Sequence, residues 1–131
     1  MASYVLDTHA LVFSLAAPAK LGRKAKRALR SVEEGESQAW IPAAVAAEVV
    51  LLRELGRIEF GLAQLKTATE ETPKLKFLSL DFPQIDEFAA LGTIRDPFDR
   101  LIVSAARTVG AKLISKEEGF AVQGLVEIVW S

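Results

Sequence analysis

The stretch Asp96-Pro97-Phe98-Asp99-Arg100-Leu101-Ile102-Val103-Ser104-Ala105-Ala106-Arg107-Thr108-Val109-Gly110-Ala111-Lys112-Leu113-Ile114-Ser115 decides the fold. Asp96 is a good helix N-cap, Pro97 suits the first helical position, and Gly110 suits the stop after Val109. Between them, Leu101 to Ala106 is apolar almost all round, which places this helix at the centre of a domain. The apolar strand Lys112 to Ile114 follows directly. Outward from this helix–strand unit the alternation continues. Strands are predicted at Tyr4–Leu6, Gln38–Ile41, Phe77–Leu80 and Leu125–Trp130. Helices are predicted over Leu21–Glu34, Ala43–Leu55, Ile58–Glu71 and from the Asp81 cap to Leu91. Short apolar strands alternating with helices imply an α/β fold. The expected architecture is a three-layer α/β/α sandwich with a central, mostly parallel β-sheet.

The 131 residues make a single domain over 1–131, long enough to bury a core without staples. Half of the residues are hydrophobic and 25% are charged, which excludes a disordered chain. The net charge of −1 provides no global field toward nucleic acid or membrane, so any nucleic-acid contact must be local. With no cysteine there is no disulfide framework, thiolate nucleophile or thiolate zinc site, and one histidine, His9, excludes multi-histidine metal centres. No basic segment precedes an apolar run at the N-terminus, and no apolar run approaches the ~20 residues of a membrane span. A cytoplasmic protein with no membrane partner is expected. Glycine-rich phosphate loops are absent.

In parallel sheets ligands bind beyond the carboxyl ends of the strands, so the polar residues there matter most. Asp7 directly follows the first strand, as either a turn cap or a site residue. Glu48 lies among Ala44, Val45, Leu51 and Leu52 at helical spacing, which aims it inward toward the sheet. A buried carboxylate needs a partner or a metal. Asp96 and Asp99 are explained equally by capping and by a site at the start of the central helix. Ser115, Lys116 and Glu117 follow another strand. Crowded together, these acids would repel strongly: two charges ~4 Å apart cost about 4 kcal/mol at an effective dielectric near 20. Such a cluster calls for a cation, and oxygen-only ligands suit Mg²⁺ or Mn²⁺. Phosphodiester hydrolysis is the natural reaction class for that chemistry.

Lys20, Arg23, Lys24, Lys26, Arg27 and Arg30 fall within eleven positions, with no acid between Asp7 and Glu33. This face is either solvated or a surface for RNA phosphates, with Arg23, Lys24, Arg27 and Lys116 as candidates. Arg100, beside so many acids, is expected to pair with a site carboxylate. Trp40 and Trp130 are expected in the core, and His9 is expected to be packed or at the surface rather than a base.

Val5-Leu6-Asp7-Thr8-His9-Ala10-Leu11, the helical Glu48, Asp96-Pro97-Phe98-Asp99-Arg100-Leu101-Ile102 and Leu113-Ile114-Ser115-Lys116-Glu117 resemble, in order and spacing, the PIN-domain ribonucleases. Among these they are most similar to VapC-type toxins of toxin–antitoxin pairs. The resemblance spans nearly the whole chain. It implies a PIN-like fold and a Mg²⁺- or Mn²⁺-dependent endoribonuclease in which Asp7, Glu48, Asp96 and Asp99 bind the metal and activate water. It implies supporting roles for Thr8 and Ser115. Glu117 stands where many members carry Asp, and its extra methylene moves the carboxylate outward. The resemblance further implies an RNA substrate, a cognate VapB-like antitoxin and a homodimer. The competing readings are a receiver-like, Mg²⁺-binding signalling domain, an aspartyl phosphohydrolase, and a PIN-like scaffold with weak or no catalysis. The phosphohydrolase would need an Asp where His9 stands, two residues after Asp7.

Overall fold

A computed structural model describes all residues 1–131. Five strands form one sheet: β1 (Ala2–Leu6), β2 (Ser37–Pro42), β3 (Leu75–Leu78), β4 (Lys112–Ile114) and β5 (Ile128–Val129). Their order is β3-β2-β1-β4-β5 and every pairing is parallel, so the sheet is wholly rather than mostly parallel. The helices are α1 (Thr8–Ala16), α2 (Arg23–Glu33), α3 (Ala43–Glu54), α4 (Leu62–Glu71), α5 (Phe82–Ala90), α6 (Pro97–Val109) and α7 (Gly119–Val122). They flank the sheet as the outer layers of the expected sandwich. Helix α6 packs on β1 and β4 with α3 and α5 beside it, and α2 packs on β2 and β5.

The central position of α6 follows from its sequence. Ile102, Val103, Ser104, Ala105 and Ala106 are all buried in it. The hydroxyl of Ser104 would be costly there, but it donates to the Arg100 carbonyl at 2.6 Å. Gly110 ends the helix at φ 66°, a left-handed conformation that a Cβ would strain. The core continues through Val5, Leu6, Ile41, Val45, Val49, Leu113 and Ile114. Trp40 and Trp130 pack against this core from its rim rather than inside it.

Several elements depart from expectation, among them the unforeseen short α7 and the starts of β1 and α2, each two residues from the expected Tyr4 and Leu21. Helix α1 was not predicted: Val12, Phe13 and Leu15 give it no polar face, so its residues show no helical periodicity. The Ile58–Glu71 helix begins only at Leu62, because Gly61 caps it and accommodates the Arg53 side chain. The Gly61 N–H donates to Gln64 Oε1 at 2.8 Å. Strand β3 lies two residues early, where Trp40 and Ile41 of β2 align it, and β5 shortens to Ile128–Val129.

The strand order creates a switch point. The chain leaves β1 toward β2 on one side and returns to β4 on the other. A crevice therefore opens at the carboxyl ends of β1 and β4, the usual ligand position in such sheets. Asp7 and Ser115 sit there, and the Asp7 N–H donates to the Ile114 carbonyl at 3.2 Å, tying the two strand ends together.

Candidate active site

Asp7 follows β1 and caps α1, its carboxylate accepting the Ala10 N–H at 2.8 Å. Burial is the largest influence on Asp7 and pushes its pKa up. The Ser115 hydroxyl, the Ala10 N–H and the His9 ring pull it back, and the Glu48 charge raises it further. Ser115 is fully buried at the end of β4. Its oxygen accepts the Glu117 N–H at 3.0 Å, which leaves the hydroxyl proton free to face Asp7.

Glu48 reaches the same edge from α3. Val45, Ala46 and Val49 carry the buried face of that helix, and Glu48 is half-buried at its margin instead of centred on the sheet. Its partner is Thr8, whose buried hydroxyl donates to Glu48 Oε1 at 2.5 Å. The partner is thus a hydroxyl from the turn of chain that holds Asp7.

Asp96 caps α6 and accepts the Asp99 N–H at 2.9 Å. Capping and charge are therefore combined in one side chain, as they are at Asp7. The two functions are separable by substitution. Asp96→Ala is expected to cost about 1 kcal/mol in urea unfolding, whereas Asp96→Asn keeps an accepting oxygen and is expected to stay within ~0.5 kcal/mol of the parent. Equal losses in the two variants would refute the cap.

Asp99 shows that the acids converge. Its pKa is raised to about 6, first by burial and then by the negative charges of Asp96, Glu48, Glu117 and Asp7. Five carboxylates contributed by four parts of the chain thus share one field. No salt bridge neutralises them, His9 being the one basic ring that favours the Asp7 charge: the two ion pairs of the chain, Arg107–Glu87 and Lys112–Glu127, lie elsewhere. Arg100 departs from expectation. Its Nε donates to the Phe88 carbonyl at 2.7 Å, and its guanidinium stacks 4.1 Å from the Phe88 ring, so it fastens α6 to α5 instead of pairing with an acid.

The donor set fits a divalent cation in chemistry and in charge, since it offers carboxylate oxygens and uncompensated negative charge. The side chains do not close as a shell: no three His, Cys, Asp or Glu side chains form a ready-made metal cage. Mg²⁺ retains several waters and needs only one or two carboxylates directly, so an open arrangement is compatible with it.

The basic residues divide into two groups. Lys116, just past Ser115, places its ammonium 5.5 Å from the centre of the Phe13 ring, and Lys20 places its own at 5.6 Å. His9 and Trp130 flank the same ring, each 6.2 Å away between centroids. This puts two cations and an aromatic cluster on the rim near the acids. Phe13 carries no such signal in the sequence, and only the folded path of 17–22 parts Lys20 from the rest of the basic run and brings it back over α1. Lys24 and Arg27 lie on α2 beside Tyr4 and Lys112, which pair near the strand starts, on the order of 10 Å along β1 from Asp7. Arg23 is exposed at the start of α2.

The family model described as PIN domain matches residues 4–124. Among curated proteins none matches the chain. Solved structures share the fold. VapBC2 from Rickettsia felis, bound to a DNA fragment from their promoter, superposes with a TM-score of 0.72 at 16% identity, covering 98% of this chain and 99% of that one. DNA-bound VapBC from Salmonella typhimurium gives 0.67 at 15% identity, covering 98% and 97%. A toxin–antitoxin complex from Klebsiella pneumoniae gives 0.63 at 19% identity, covering 94% of each chain. With the parallel sheet, the acidic edge at its switch point and a family match over nearly its whole length, this chain belongs to the PIN domain family.

Proposed function

We propose that this protein is a metal-dependent endoribonuclease, the toxin component of a VapBC-like toxin–antitoxin pair. The observation that carries the reading is the convergence of Asp7, Glu48, Asp96, Asp99 and Glu117 in one field without a salt bridge to any of them. A fold alone would not retain that repulsion, whereas a Mg²⁺ or Mn²⁺ site uses it. Asp7, Glu48, Asp96 and Asp99 would hold the ion, with Glu117 at its margin. When bound, such an ion neutralises phosphate charge and activates water for attack on phosphorus.

The chain's own residues prepare that step. Thr8 fixes the Glu48 carboxylate and Ser115 orients Asp7, so both acids are held before substrate arrives. Lys116 and Lys20, both near the Phe13 ring, would bind phosphates beside the acidic edge, with Phe13 and His9 offering ring surface for unpaired bases. The antitoxin partner is carried over from the VapBC likeness, the homodimer from the PIN-toxin resemblance, and a cytoplasmic location fits the absence of cysteine. No helix of the chain is long and apolar enough to cross a membrane.

The test is cleavage of a pool of structured and single-stranded RNAs by the full chain with Mg²⁺ or Mn²⁺, against an EDTA control. Metal-dependent internal cuts are expected. Cleavage that persists in EDTA would overturn the metal-dependent reading, and an uncut pool would overturn the nuclease reading.

A further inference from the structure

Helix α2 is built against its own electrostatic stability. Arg23, Lys24 and Lys26 crowd its first turn, at the positive end of the helix dipole, with no acidic residue there and no side-chain cap. Arg23 and Arg27, like Lys26 and Arg30, meet four residues apart with the same charge. None of these bases forms an ion pair. Ala25, Ala28 and Val32 already seat the helix on the sheet, so the fold asks for no such charge on the exposed faces. Unpaired charge of one sign, held where it weakens the helix, points to an anionic ligand.

A second observation supplies the place. Lys24 and Arg27 open onto a groove of about 450 Å³, whose far wall carries Tyr4, Ser37 and Lys112. Lys112 is held by Glu127 at 3.1 Å, which leaves Lys24 and Arg27 as the free cations of the groove. Its path is set by the packing of α2. The helix starts against the end of β5, where the Ala25 N–H donates to the Trp130 carbonyl at 3.0 Å. It ends beside the start of β2, where the Ser31 and Ser37 hydroxyls lie 2.9 Å apart. Its bases therefore lead from the edge of the sheet that holds the acids to the opposite edge. Eleven helical residues span roughly 16 Å, about five stacked nucleotides at ~3.4 Å each.

We propose that the α2 groove is a second phosphate-binding site, which holds the RNA backbone several nucleotides from the bond cut at the acidic edge. The inference rests on the nuclease reading and adds to it a preference for RNA long enough to span both sites.

The experiment compares cleavage of a 4-nucleotide and a 16-nucleotide single-stranded RNA, roughly below and above the length of the track. The parent chain is set against Lys24→Gln/Arg27→Gln, with Lys66→Gln on α4 as a control for bulk charge. For the longer RNA the double variant is expected to raise KM about tenfold or more with kcat unchanged. It is also expected to reduce the salt slope of binding by roughly 1.4, at ~0.7 per lost phosphate contact. For the shorter RNA no change is expected, and the thermal midpoint is expected to hold or rise as the repulsion is relieved. Equal losses on both lengths would overturn the proposal. So would no loss on the longer RNA, the same loss in Lys66→Gln, or a loss confined to binding of duplex DNA. A parent chain that cuts neither RNA would overturn the nuclease reading itself, and the groove's role with it.

Discussion

Asp7→Asn is expected to lower RNA cleavage by roughly 10²–10³-fold, the scale on which removal of one preorganised electrostatic group acts, while making the metal-free protein more stable. The opposite signs follow from the two functions of this side chain. As a cap it needs only an oxygen that accepts the Ala10 N–H, and asparagine supplies one. As a ligand it needs a negative charge, and asparagine has none. In the metal-free protein that charge is unfavourable, since burial and Glu48 both raise the Asp7 pKa. Removing it is expected to raise the thermal midpoint of the metal-free protein at neutral pH. Circular dichroism melts beside a cleavage assay read both effects. A variant that melts lower than the parent would show that the charge is compensated by a partner in the fold. One that cuts as well as the parent would remove Asp7 from the site. A shared gain of stability and loss of activity is what a site holding its own repulsion should show.

Much of this edge was legible in the sequence because it is built locally. Asp7 stands directly after an apolar strand, and Asp96 stands one residue before Pro97 and three before Asp99. Both positions can be read from chain order alone, and the structure bears out the capping of α6 by Asp96 and of α5 by Asp81. What was not legible depends on contacts between distant segments. Arg100 is surrounded by acids in sequence, yet its partner is a carbonyl and a ring twelve residues earlier, on a helix whose packing angle no local pattern reveals. The apolar neighbours of Glu48 indicated burial, but they could not show that α1 would present the Thr8 hydroxyl at the margin. Helix α1 has no such signature, since a segment apolar on most sides carries no periodic signal. The run of bases from Lys20 to Arg30 reads as one patch, whereas the fold divides it. Lys20 turns back over Phe13 near the acids, and Lys24 and Arg27 face the strand starts.

Divalent metal is expected to stabilise the protein strongly at pH 8 and weakly at pH 5. The Asp99 carboxyl titrates at about 6 in the folded chain, well above its ordinary value of 3.8, and Asp7 is shifted in the same direction. An acid whose folded pKa is raised holds its proton more tightly when folded, so the folded state binds more protons than the unfolded chain between the two values. The stability this contributes is complete below pH ~4 and is lost as pH rises through about 6. Taken at face value, the Asp99 shift corresponds to about 3 kcal/mol. Asp99 is only half-buried, and screening by solvent reduces this to roughly 1 kcal/mol. A cation bound among the ionised acids reverses that loss. At a hundred times its dissociation constant it adds about 2.7 kcal/mol, close to 8 °C in thermal midpoint. At pH 5 it must first displace the proton from Asp99, so the same concentration yields a smaller shift. Melts with Mn²⁺ and Mg²⁺ at both pH values, with Asp99→Asn beside the parent, separate this from general salt effects. The variant is expected to lose most of the metal shift and much of the acid-side stability gain. A parent chain that gains nothing from either ion at pH 8, or as much at pH 5, would show that these carboxylates converge for some purpose other than holding a cation.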